Sequence, residues 1–162
     1  MNLEKFTQKS LEAIQGAQNI AIENQNTEVD QSHLLLSLLQ QEDSLIKQLL
    51  EKMKIQPNFE EEVTNIVSNR PKLAYSSRQG NQIYISQDLD LALVESEKTA
   101  KSMKDDYVSV EHLMLGIIEK ASKEISSLFA KYHITKETFL KALLEVRGNA
   151  RVTSDNPEST YD

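Results

Sequence analysis

Between Thr7 and Asn24, apolar and small residues return every three or four positions at Ala13, Ile14, Ala17, Ile20 and Ala21. That is the pattern of a helix burying one stripe. The same spacing recurs at Leu89, Ala92, Leu93, Ser96, Thr99, Ala100 and Met103. Thr7 and Ser86 precede the two stripes, with hydroxyls placed to accept from the unpartnered N–H groups of a helix start. Second helices are predicted after Asp30 and Ser109, and their apolar residues run almost all the way round, as burial on most sides requires. Ser37 and Gly116 interrupt these runs at the same place, small enough for another helix backbone to approach closely. Third helices are predicted after Ser44 and Ser122. Fourth helices open at Pro57, whose missing N–H costs nothing in a first turn, and at Thr135, with Gly148 as the stop.

These elements form two copies of one pattern. Ser32-His33-Leu34-Leu35-Leu36-Ser37-Leu38-Leu39 aligns with Glu111-His112-Leu113-Met114-Leu115-Gly116-Ile117-Ile118 at an offset of 79, and the register holds without a gap from Phe6 to Ile55. It pairs Ala13 with Ala92, Ala21 with Ala100, Val29 with Val108, Ile46 with Ile125 and Leu49 with Leu128, so the halves share a burial pattern. The expected fold is all-α, two pseudo-symmetric four-helix repeats packed as one domain over residues 1–148. Repeat one covers about 1–69 and repeat two about 86–148, joined by a connector at 70–85 where Pro71, the Ser76–Ser77 pair and Gly80 break periodicity. Residues 149–162 have neither period nor apolar face and are expected to be a flexible linker leading into a longer protein.

Composition narrows the chemistry. Among 162 residues there is no Cys, which removes disulfides, thiolate metal sites and a cysteine nucleophile. A net charge of −7 with no basic stripe argues against nucleic acid. The amino terminus lacks the apolar run of a secretion signal, and no stretch is long and apolar enough for a membrane span, so a cytoplasmic, unprocessed chain is expected. The four glycines, Gly16, Gly80, Gly116 and Gly148, build no phosphate-binding loop. His33, His112 and His133 have no second ligand at metal-like spacing, so neither a metal nor another cofactor is expected in this chain, which reads as a non-enzyme.

His33 and His112 fall at equivalent positions in the first turn of the second helices, which points to a capping role in both halves. Glu111 beside His112 suits the positive end of a helix dipole, and Asp105-Asp106 reads as a turn. Tyr84 and Ile85, which lead into Leu93, read either as core or as apolar surface left exposed at the seam between the repeats.

The doubled pattern, with Val108-Ser109-Val110-Glu111-His112-Leu113-Met114-Leu115 in its second copy, resembles the Clp N-terminal repeat domain found ahead of AAA+ unfoldase rings. The run from Arg147 to Thr153, with Pro157-Glu158 and Thr160-Tyr161, is similar to the junction into the first ATPase ring of the ClpB-type disaggregases, a junction that ClpA and ClpC proteins do not share. The resemblance implies a module that engages exposed apolar segments of unfolded or aggregated polypeptides and passes them to a hexameric ring. It implies that ATP and Mg belong to that ring and that the isolated domain is a monomer. Positions matching the family's groove and its polar rim are Thr7, Leu93, Asp105 and Glu111, with Tyr84, Ile85 and His112 nearby. A ClpC-type module that docks adaptors or binds phosphoarginine is the alternative, and it would use the carboxylates of Glu111 and Asp105. Lys54 and His133 stand where the family has Gly after the third helices, and Lys104 where it has Gly before the acidic loop residue. A left-handed backbone at Lys54 and His133 would cost each roughly 1–2 kcal/mol.

Overall fold

The computed structural model describes residues 2–74, 83–148 and 150–158. Ser76, Ser77 and Gly80 of the connector, and Asn149, Thr160 and Tyr161 of the junction, lie outside the described residues. Eight α-helices are found among them: α1 (Gln8–Glu23), α2 (Gln31–Gln40), α3 (Leu45–Lys52), α4 (Asn58–Ser68), α5 (Gln87–Ser102), α6 (Val110–Glu119), α7 (Lys123–Lys131) and α8 (Lys136–Arg147). Each starts where the sequence places a cap. The hydroxyls of Thr7, Ser44, Ser86, Ser122 and Thr135 accept from the N–H three residues on, and Pro57 precedes α4. Gly148 ends α8 at φ +61°, a conformation that suits a residue without Cβ.

One apolar core runs through both halves, centred on α2 and α6, whose residues are buried over nearly their whole length. Each of these helices packs against the first helix of its own half, at the position where the sequence carries a small residue. In the first half Ser37 Oγ donates to the Ala13 carbonyl at 2.7 Å. In the second, a Cβ on Gly116 would fall on the carbonyl of Ala92, the repeat partner of Ala13, and on the Ser96 hydroxyl. The close approach is the same, filled by a hydroxyl on one side and by backbone on the other.

Two-residue strands, invisible to helical periodicity, tie the halves together. β1 (Glu28–Val29) pairs in parallel with β2 (Tyr84–Ile85), and Phe6 makes the equivalent parallel bridge to Val108. Thr7 N–H donates to the Val108 carbonyl and Ser86 N–H to the Val29 carbonyl, both at 2.9 Å, so each half lends its entry segment to the other. Gln31, fully buried, adds three bonds across the interface: its Nε2 donates to the carbonyls of Asp88 and Lys120, and its Oε1 accepts from Ser122 N–H, each at 2.8 Å. Phe59 of α4 stacks on Phe129 of α7, with Tyr132 edge-on.

Lys54, Lys104 and His133 do take the left-handed conformation, at φ of 62°, 61° and 57°. Gln25, the repeat partner of Lys104, joins them at 56°. The turns therefore keep a glycine-type geometry with residues whose Cβ makes that geometry costly.

Candidate functional site

The residues singled out by sequence separate into two groups. Thr7, Asp105, Glu111 and His112 come together in a buried polar cluster at the starts of α1 and α6. Tyr84, Ile85 and Leu93 lie at the apolar seam between the repeats.

In the polar cluster, His112 Nδ1 accepts from Ser109 N–H at 2.9 Å, and its Nε2 lies 2.7 Å from Asp105 Oδ2. With Nδ1 accepting, the ring proton sits on Nε2 and is donated to the carboxylate. His33 repeats this cap in the first half: Nδ1 accepts from Asp30 N–H at 2.9 Å, and Nε2 lies 2.7 Å from the side-chain oxygen of Asn26. Both histidines are thus capping residues, and Asn26 stands where the second half has Asp105. The carboxylate is matched by Arg147, at the end of α8, which pairs with Asp105 and places its Nη1 3.4 Å from Glu111 Oε2. Asp105 also accepts from Val152 N–H at 3.0 Å. Burial pushes its carboxyl up, but the bonds from His112, Val152 and Arg147 outweigh that and hold it below the usual aspartate range. Among the described residues no group of three or more His, Cys, Asp or Glu is arranged to hold a metal ion.

The segment beyond α8 closes this cluster, which over residues 150–158 differs from the flexible linker expected there. Within residues 150–158, Val152 is fully buried and its carbonyl accepts from Asp106 N–H at 2.8 Å. The Asp155 carbonyl accepts from Gln8 N–H at 2.8 Å. Glu158 Oε2 accepts from the Thr7 hydroxyl at 2.7 Å and from Val110 N–H at 3.2 Å, next to Glu111. Burial, with the Glu111 charge added, raises the Glu158 carboxyl above its ordinary value despite those bonds. The contacts come from non-local hydrogen bonds and from the buried Val152 and Pro157, none of which shows as periodicity.

At the seam, Tyr84 is 80 % exposed and Ile85 41 %, so of the two alternatives the core reading fails for both. Leu93 is the reverse. At 1 % exposure it is a core residue that offers only an edge to a narrow crevice lined also by Ile14, Ala17, Val29, Ile85 and Leu89. Ile14 and Leu93 occupy the same position of the two repeats, so the crevice lies where the halves are related. Sequence reasoning missed Arg147 as the counter-charge, Glu158 as a contact of Thr7, and Gln31 as the cross-link. Only Gln31 had a local signal, an amide beside an apolar run with no charged neighbour downstream.

The family described as the Clp repeat (R) N-terminal domain matches residues 5–132. The chain is 40 % identical over its full length to the chaperone protein ClpB of Bacillus anthracis and 38 % to that of Nitratidesulfovibrio vulgaris. It spans 19 % of the length of each of these relatives. The N-terminal domain of Hsp104 from Candida albicans superposes with a TM-score of 0.81 at 22 % identity, over 93 % of this chain and 97 % of that one. A ClpV N-domain solved in complex with a VipB peptide superposes at 0.66 and 21 % identity, covering 88 % and 86 % of the two chains. On the family match and the shared fold, the chain belongs to the Clp repeat N-terminal domains.

Proposed function

We propose that this chain is the substrate-engaging module of a ClpB-type disaggregase, taking hold of exposed apolar segments of unfolded or aggregated polypeptides and delivering them to an AAA+ ring. The observation that carries this reading is the apolar pair Tyr84–Ile85, exposed on a strand at the mouth of the repeat seam. A native surface hides such side chains, and an unfolded chain offers matching ones, so burial of both is the available driving force. The module needs no cofactor of its own. ATP and Mg serve the ATPase domains of a hexameric cytoplasmic parent, while the isolated domain is a monomer. Thr7, Asp105, Glu111 and His112 form the polar margin of the site, and Leu93 supports its floor.

A ClpC-type adaptor or phosphoarginine site has less support, because Arg147 already holds the carboxylates of Asp105 and Glu111 that a foreign guanidinium would need. The test is titration with a labelled, permanently unfolded polypeptide, reduced and carboxymethylated lactalbumin. Paired Tyr84→Asp and Ile85→Asp changes should weaken binding roughly tenfold or more. Leu91→Asp should leave it unchanged, since Leu91 is exposed between Leu89 and Leu93 and points off another side of α5. Equal affinity of the paired variant and the natural chain would sink the assignment.

A further inference from the structure

Thr7, Glu111 and His112 have no exposed surface. A ligand reaches them only if something moves, and the segment 150–158 lies on this cluster, bonded to Thr7 and Asp105. We propose that this segment is a displaceable strap, an internal occupant of the polar margin that a bound polypeptide lifts, freeing the tether behind the domain. The inference rests on the reading that the seam binds polypeptide, and it concerns how that site is regulated.

Three features of the seat fit a part built to leave. Its hold is mostly polar: within 150–158 Val152 and Pro157 are the buried residues, and hydrogen bonds include those of Ala150 with Arg147, Arg151 with the Met103 carbonyl, Val152 with Asp105 and Asp106, Asp155 with Gln8, and Glu158 with Thr7 and Val110. Its last anchor is electrostatically poor, a carboxylate placed beside the carboxylate of Glu111, with Glu158 Oε1 buried and without a hydrogen-bond partner among the described residues. The first half differs within its described residues. There the chain after α4 also lies on the loop before α2, with Leu73 N–H donating to the Gln25 carbonyl and Asn26 Nδ2 to the Pro71 carbonyl. Ser86, the repeat partner of Thr7, instead bonds Asp88 of its own helix. Among the described residues, the cap hydroxyl that reaches a carboxylate far along the chain, 151 positions away, is that of Thr7.

Release has a mechanical result. Residues 150–158, which run back over the domain, become an extended spacer of up to about 30 Å. Ligand capture would therefore lengthen the reach between the module and the ring it serves, loosening the domain when it is loaded.

The test uses the 162-residue chain, the Glu158→Ala variant and, as an independent release, Asp155→Ala, an exposed residue whose side chain accepts from Gln8 Nε2. Affinity for reduced, carboxymethylated lactalbumin is measured together with hydrogen exchange at the Gln8 and Asp106 amides, the two donors to the strap backbone. Both variants should bind roughly fivefold tighter, and saturating probe should speed exchange at both amides roughly tenfold in the natural chain. Unchanged affinity in both variants, or unchanged exchange on saturation, overturns the strap and leaves the binding module standing. Absence of binding by all three chains overturns both.

Discussion

The two halves share a pattern, and the comparison is most instructive at the start of their second helices. Each carries a histidine that caps its helix through Nδ1 and presents Nε2 to the loop before it. In the first half that nitrogen meets the neutral amide of Asn26; in the second it meets Asp105, backed by Arg147 and Glu111. The cap is thus the shared scaffold; the first half carries its charge on the cap residue itself, Asp30 paired with Arg70, and the second half adds a buried carboxylate in the loop before the helix. A buried carboxylate is tolerated only with a counter-charge in good geometry, so this addition obliges α8 to end on an arginine and not merely on a basic residue.

The sharpest way to break the comparison is to remove the counter-charge on each side. Arg147→Ala strips two buried carboxylates of their guanidinium and should cost about 3–5 kcal/mol. Arg70→Ala, which removes the partially exposed partner of Asp30 and Glu124, should cost about 1 kcal/mol. Urea unfolding of both variants decides it, and equal losses would mean that the second-half cluster is no more than a surface ion pair. Gly116→Ala comes next: its methyl meets the Ala92 carbonyl and should cost about 2 kcal/mol, against about 1 kcal/mol for Ser37→Ala, which loses only one hydrogen bond. A smaller gain is expected from Lys54→Gly and His133→Gly, each stabilising by about 0.5–1 kcal/mol on relief of the left-handed backbone, read as a rise in melting temperature.

The smallest effect separates two carboxylates of one cluster by sign. The Asp105 carboxyl is lowered in the folded chain, so its contribution is full above the ordinary aspartate value and is lost as pH falls through the lowered one. The Glu158 carboxyl is raised, so its docked form is favoured by protonation: the contribution is full below the ordinary glutamate value and is lost as pH rises through the raised one. Exchange at the Gln8 amide, corrected for its intrinsic pH dependence, should therefore slow over the upper interval, as pH falls through the raised Glu158 value towards the ordinary glutamate one, while global stability declines only at lower pH. Corrected exchange that quickens over the upper interval would contradict the seat described for Glu158.

The helices were legible because their signals are local. Thr7, Ser44, Ser86, Ser122 and Thr135 bond within three residues of themselves, and a buried stripe repeats within one turn. Strands of two residues have no period to detect, which is why Tyr84 and Ile85 could be read as core when they stand in solvent. The polar cluster was half legible. Thr7, Asp105, Glu111 and His112 could each be picked out by a local role or by resemblance, but Arg147 and Glu158 join them across 36 and 151 positions, and no local pattern carries that information.

The exchanged entry segments bear on how such a molecule arose. Phe6 pairs with Val108 and Ile85 with Val29, so neither repeat completes its own edge. A single ancestral repeat would have left that edge open and could have closed it by lending its entry segment to a second copy, as swapped dimers do. A connector is all that such a pairing needs to hold two copies in one chain. In one chain the two copies are free to differ, one carrying Asn26 and the other Asp105 against the same histidine nitrogen.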